Sequence, residues 1–112
     1  MGKRTKSASV EDLDTFIIDW TNMCLYTLKI HQASGFPPVN EGDKTVLQDL
    51  LNDLEDAGIV DSLIAEKMEH IIRYRNKFSY TEPMDHYELM DMLELIRALV
   101  FDDLSRHPAL DV

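Results

Sequence analysis

The chain carries a single cysteine, Cys24, among its 112 residues, so no internal disulfide can form, and such usage fits a reducing cytoplasm. Glycine and proline are equally sparse, four of each, which is too few for the many tight turns of an all-β chain. The abundance of Leu, Ile, Met, Asp and Glu favours helix instead. No apolar run approaches the ~18 residues needed to cross a bilayer. The opening Met1-Gly2-Lys3-Arg4-Thr5-Lys6 is basic, but no apolar segment follows it as a secretory signal requires, and Lys6 stands where a myristoylation motif would place Ser or Thr. Positive charge is the last shortage, with 11 Lys and Arg against 21 Asp and Glu and a net charge of −10. Three of those bases lie within the first six residues, leaving eight against 21, a net of −13, for the remainder. Such a field repels a phosphate backbone, so RNA is disfavoured and a protein partner with a basic surface is easier to accommodate.

Four stretches repeat apolar residues at helical spacing. Ser9 is a candidate N-cap with Asp12 three residues on, and Val10, Leu13, Phe16, Ile17, Trp20, Cys24 and Leu28 mark one face of a first helix over about 10–33. Cys24 and Trp20 are read as core residues, and His31 as a dipole partner at the helix end or a solvated residue. Ser34 to Gly42 is the main break, with Gly35 stopping the helix, Pro37 and Pro38 keeping the chain extended, and Phe36 and Val39 tucked over the core edge. Asp43 or Thr45 caps a second helix to about Ala57, buried through Val46, Leu47, Leu50, Leu51 and Leu54, with Gly58 at its left-handed end. Asp61 caps a third helix, about 62–79, whose stripe of Leu63, Ile64, Met68, Ile71, Ile72, Arg75 and Phe78 puts a guanidinium on or beside the buried face. Thr81-Glu82-Pro83 interrupts it. Asp85 then opens a fourth helix with Glu88 as capping partner and Met84 stapled to Leu89. Its core stripe is Leu89, Leu93, Ile96, Val100 and Leu104; Met92, Leu99 and Phe101 are apolar in excess, which hints at a second contact surface. Residues 1–8 read as a flexible basic tail, or one that docks on an acidic face, and 9–107 as one domain. The fold expected is all-α, a four-helix up-and-down bundle. No EF-hand loop, His-Glu-x-x-His or duplicated Glu-x-x-His occurs, so neither a metal site nor a cofactor is predicted.

The densest chemistry lies in Arg73-Tyr74-Arg75-Asn76-Lys77-Phe78-Ser79-Tyr80, at the end of the third helix. Preceded by "DLLNDLEDAGIVD" and followed by "PMDHYEL", it resembles the HEPN superfamily of small helical bundles, and more loosely the mannitol-operon-repressor family, over about residues 45–104. The resemblance implies an HEPN-like bundle, usually dimeric, in which an Arg steadies phosphate and a His, separated from it by four to six residues, moves protons. Arg75 matches that Arg and Asn76 its polar neighbour, but Tyr80 stands where the His belongs. A phenol of pKa about 10 is a poor base at neutral pH, and loss of general acid–base help is worth roughly a hundred- to ten-thousandfold in rate.

Arg75, Asn76 and Tyr80 are therefore the candidate catalytic residues of a degenerate motif, and Arg73, Lys77 and His86 candidate binding residues. The plainer alternative pairs Arg75 with Asp85 or Glu88 across the turn, while Asn76 satisfies helix-end carbonyls. The expected function is a non-catalytic or weakly active HEPN-like regulatory module, a homodimer that binds another protein. The alternatives are a small acidic inhibitor of a basic, nucleic-acid-binding partner and an active HEPN-type ribonuclease.

Overall fold

The structure, a computed structural model, describes residues 6–37, 46–77 and 84–110. It is an all-α four-helix bundle: α1 (Val10–Ala33), α2 (Val46–Asp56), α3 (Ser62–Lys77) and α4 (His86–Ala98), the last running on as a π-helical segment (Leu99–Leu104) before a 3-10 turn (Pro108–Leu110). The long α1 is the hub, packed against α2, α4 and the π segment, while α3 rests on α2 and only lightly on α4.

Local chemistry sets the helix ends. Ser9 Oγ accepts the Asp12 amide at 3.1 Å and Asp12 Oδ2 accepts the Ser9 amide at 3.0 Å, a complete capping box. Asp61 accepts from the Ile64 amide at 2.8 Å and Asp85 from the Glu88 amide at 3.0 Å, as expected of both caps. The first two helices close in the same way. Gly35 (φ +89) and Gly58 (φ +71) turn left-handed, so the amide of the following residue reaches back to the last turn: Phe36 to the His31 carbonyl at 3.4 Å, Ile59 to the Leu54 carbonyl at 2.9 Å. The expected cap at Asp43 or Thr45, and Val39 and Phe78, lie outside the described residues.

The core is built from Phe16, Met23 and Ile30 of α1, Leu47, Leu51 and Leu54 of α2, Ala65, Met68, Ile71, Ile72 and Tyr74 of α3, and Leu89, Leu93, Ile96, Leu99 and Leu104 beyond. Three sequence expectations need correction. First, the buried face of α1 is Phe16, Met23, Thr27, Ile30 and His31, whereas Val10 and Ile17 are exposed. Two polar residues sit on this face, each held by a hydrogen bond: Thr27 donates its hydroxyl to the Met23 carbonyl at 2.7 Å, and His31 Nε2 bonds Asp53 Oδ2 at 2.9 Å. His31 is thus fully buried, its ring stacked on Phe36 at 4.5 Å, rather than a solvated helix-end residue. Second, Tyr74 and not Arg75 occupies the last inward position of α3; Arg75 is exposed, and so is Leu63. Third, the apolar excess of α4 is partly absorbed inward. The π turn carries the buried stripe from Leu99 to Leu104 in a five-residue step, with the Ser105 amide bonded to the Val100 carbonyl at 2.8 Å. Leu99 therefore takes the core place expected of Val100, and only Phe101 is left well exposed.

Residues 6–8, part of the stretch read as a tail, are tied to the start of α4. The Ala8 amide donates to the Met84 carbonyl at 2.8 Å and the His86 amide to the Lys6 carbonyl at 2.6 Å, forming an isolated antiparallel bridge at Ser7 and Asp85. At the other end, His107 donates Nε2–H to the Ile59 carbonyl at 2.7 Å and accepts the Ala109 amide on Nδ1 at 3.1 Å. This fixes its tautomer and anchors the C-terminal turn to the α2–α3 connection.

Candidate functional site

The basic residues at the end of α3 do not converge. Successive helical residues project 100° apart, so Arg73, Tyr74 and Arg75 must point in three directions. Arg73 and Lys77, four apart, share one flank and open onto a groove between α3 and α4. Arg75 turns to the α1 side, where its guanidinium carbon lies 4.9 Å from the Trp20 ring centroid. Trp20 stacks on Phe16 at 6.3 Å, and Phe16 meets the edge of Tyr74 at 6.0 Å, so Arg75 caps a short aromatic column. A cation–π contact of this exposed kind is worth about 0.5–1 kcal/mol. Among the described residues Arg75 makes no ion pair, which leaves its expected pairing with Asp85 or Glu88 unmade. Asn76 is exposed at the helix end, and Tyr80 lies outside the described residues.

His86 is committed elsewhere. Its Nδ1 bonds Asp12 Oδ2 at 2.8 Å, so one carboxylate links the capping box of α1 to the first turn of α4. The bond from His86, helped by the Ser9 amide, holds the Asp12 carboxyl below its usual range. The amides of Glu88 and Lys6 do the same for Asp85. Burial pushes the Cys24 thiol up to about 11, against a smaller opposing pull from the Arg75 charge, so Cys24 is a packing residue rather than a nucleophile. Burial, and then the negative charges of Glu88 and Asp85, raise Tyr74 to about 12. Among the described residues no three His, Cys, Asp or Glu side chains gather as a metal ion would require, and no helix is long and apolar enough to cross a membrane.

Two grooves remain. The first, about 390 Å³, has His70, Arg73 and Lys77 along one wall, Glu88 and Asp91 along the other, and Tyr74 and Met92 in its bed. The sequence singles out Arg73 and Lys77, and Met92 only as apolar excess, but His70 and Asp91 are not assigned a binding role from it. The 70/73/77 spacing is a one-flank helical stripe, and that signal was there to be read. The second, about 470 Å³, lies between α1 and the α4–π segment and is lined by Asp19, Asn22, Tyr26, Ile96, Arg97, Val100, Phe101 and Ser105. Ile18 and Leu25 are exposed on the strip of α1 that helical spacing sets beside Asn22, and Phe101 in the lining is 66% exposed. Compared with protein-family models, curated proteins and solved structures, the chain matches none.

Proposed function

We infer that the chain is a non-catalytic protein-interaction module that works as a homodimer through the face formed by α1 and the π segment. The observation that carries this reading is Phe101, 66% exposed on the 470 Å³ groove, with Ile18 and Leu25 exposed on the strip of α1 that helical spacing sets beside the groove's Asn22, because exposed large side chains on one face are what an interface core needs. The π turn contributes by placing Leu104 inward and Phe101 outward on a single helical run. The divergence of Arg75 from Arg73 and Lys77 supports the non-catalytic half of the proposal, and the proposed family context is a degenerate HEPN-like bundle with Tyr80 in the histidine position. Light scattering at high protein concentration tests the dimer. We expect a dimer mass that Phe101→Glu reduces to monomer, and a strict monomer for the native chain defeats the proposal. Incubation with single-stranded RNA tests the catalytic alternative, where native protein and Arg75→Ala should leave the RNA equally intact.

A second reading, an acidic inhibitor that offers carboxylates to a basic partner, is favoured by the exposed Glu55, Asp56, Glu66, Asp91, Glu94 and Asp102. It requires binding that weakens steeply with salt.

A further inference from the structure

Ion pairs close the α1–α4 seam twice and tie α3 to the π segment once. Arg97 of α4 meets Asp19 of α1 at 2.8 Å, His86 of α4 meets Asp12 of α1 at 2.8 Å, and Lys67 of α3 meets Asp103 of the π segment at 3.6 Å. The α3–α4 seam is different. Arg73 and Lys77 stand on one side and Glu88 and Asp91 on the other, yet no ion pair joins them; Arg73 instead turns its Nε–H back to the Glu69 carbonyl at 3.4 Å. All four are exposed side chains free to move toward each other. Opposite charges thus line facing helices with no ion pair between them, leaving a groove with a positive wall, a negative wall and an apolar bed.

The gap is long. A second cavity of about 370 Å³, lined by Leu63, Glu66, Lys67, His70, Arg73 and Leu95, adjoins the first through their shared His70 and Arg73. From Leu63 to Lys77 the groove follows α3 for about 21 Å at 1.5 Å per residue. Its apolar members, Leu63, Leu95, Met92 and Tyr74, are spread along that length instead of enclosing one point. An elongated open trough suits a polypeptide better than a compact metabolite. Among the described residues no strand edge exists for an extended peptide to join, which leaves the helix-in-groove mode.

We propose that the α3–α4 groove receives an amphipathic helix of a partner protein, with acidic side chains along one flank facing His70, Arg73 and Lys77, basic side chains along the other facing Glu88 and Asp91, and an apolar stripe against Tyr74, Met92 and Leu95. Arg73 and Lys77 are about 6 Å apart along their axis and Glu88 and Asp91 about 4.5 Å, close to the ~5.4 Å pitch at which a helix repeats its own flanking charges. The incoming helix would supply the ion pairs this seam lacks. This rests on the interaction-module reading but uses the flank of α4 opposite to the dimer face, since 88, 91, 92 and 95 lie on one side of the Leu89–Leu93–Ile96 stripe and 97 and 101 on the other.

The probe is a synthetic helical peptide of about 14 residues, long enough for the ~21 Å groove. It carries a leucine stripe, two glutamates on one flank and two lysines on the other. Fluorescence anisotropy should give a dissociation constant in the micromolar range. Amide chemical-shift changes should map to His70, Tyr74, Met92 and Leu95. Arg73→Glu with Lys77→Glu should weaken binding about tenfold, as should Glu88→Lys with Asp91→Lys. The quadruple exchange should restore binding, because the peptide can then run in the opposite direction with its apolar stripe still facing down. Absence of binding below about 1 mM, equal affinity for the native protein and either double variant, failure of the quadruple exchange to restore binding, shifts that map to Phe101, or shifts in the groove produced by free lysyl-glutamate but not by the helix would each overturn the proposal. Light scattering on the same samples reports the dimer separately, so loss of peptide binding with the dimer intact refutes this inference alone.

Discussion

Replacement of His31 separates packing from hydrogen bonding in the core. The side chain is 1% exposed, its ring lies 4.5 Å from Phe36 at an interplanar angle of 15°, and Nε2 bonds an Asp53 carboxylate that is itself 51% exposed. An ionised carboxylate can only accept, so Nε2 carries the hydrogen. His31→Ala removes the ring, empties an enclosed site and forfeits the stacking, for which burial losses of about 2–5 kcal/mol are usual. We expect about 3 kcal/mol. His31→Phe keeps the ring and releases Asp53 to water. It also removes Nδ1, which is buried with no hydrogen-bond partner among the described residues, so only the net value of one bond is lost, about 1 kcal/mol. Asp53→Ala leaves a buried N–H behind, but water can follow into a half-exposed position, and the cost is again about 1 kcal/mol. In urea unfolding, or as roughly 4 °C of Tm per kcal/mol for a chain of this size, the order is His31→Ala far below the other two. If His31→Phe is as damaging as His31→Ala, the bond dominates the ring and the reasoning fails.

Cys24 should be alkylated about a hundredfold more slowly at pH 8 than in the urea-unfolded chain, because a thiol at about 11 rather than 9.0 exposes that much less thiolate; equal rates would show that the site opens freely. Asp12 and Asp85 are held below their ordinary 3.8, so their contribution is present at neutral pH and disappears as pH falls through about 4 toward the lowered values. Protection factors for amide exchange at Ala8 and His86 should therefore fall below pH about 4 while those of Leu51 and Met68 hold; simultaneous loss everywhere would count against a local clasp. Gly58→Ala should cost about 1 kcal/mol, since a Cβ there meets nothing within 4 Å and the penalty comes from φ +71 alone. A neutral result in the same unfolding assay would remove that account.

Much was legible along the chain because it depends on neighbours a few residues apart. The caps at Ser9, Asp61 and Asp85, the left-handed ends at Gly35 and Gly58 and the all-α class follow from local hydrogen bonding and helical periodicity. Part of the site was equally local: Arg73 and Lys77 share a flank that Arg75 cannot join, and the spacing alone says so. What tertiary packing decided were the questions that periodicity leaves degenerate. Helix α1 is apolar on more than one face, and only its seat against α2 and α4 selects Phe16, Met23 and Ile30 over Val10 and Ile17. Thr27 and His31 could go inside because their partners lie one turn back and on another helix, Asp53, 22 residues away. The π turn that trades Val100 for Leu99 and turns Phe101 outward, and the groove between α3 and α4, likewise arise when helices of set length must fill one volume. A sequence states which residues can be buried; the choice among its apolar faces is made by the surfaces that meet.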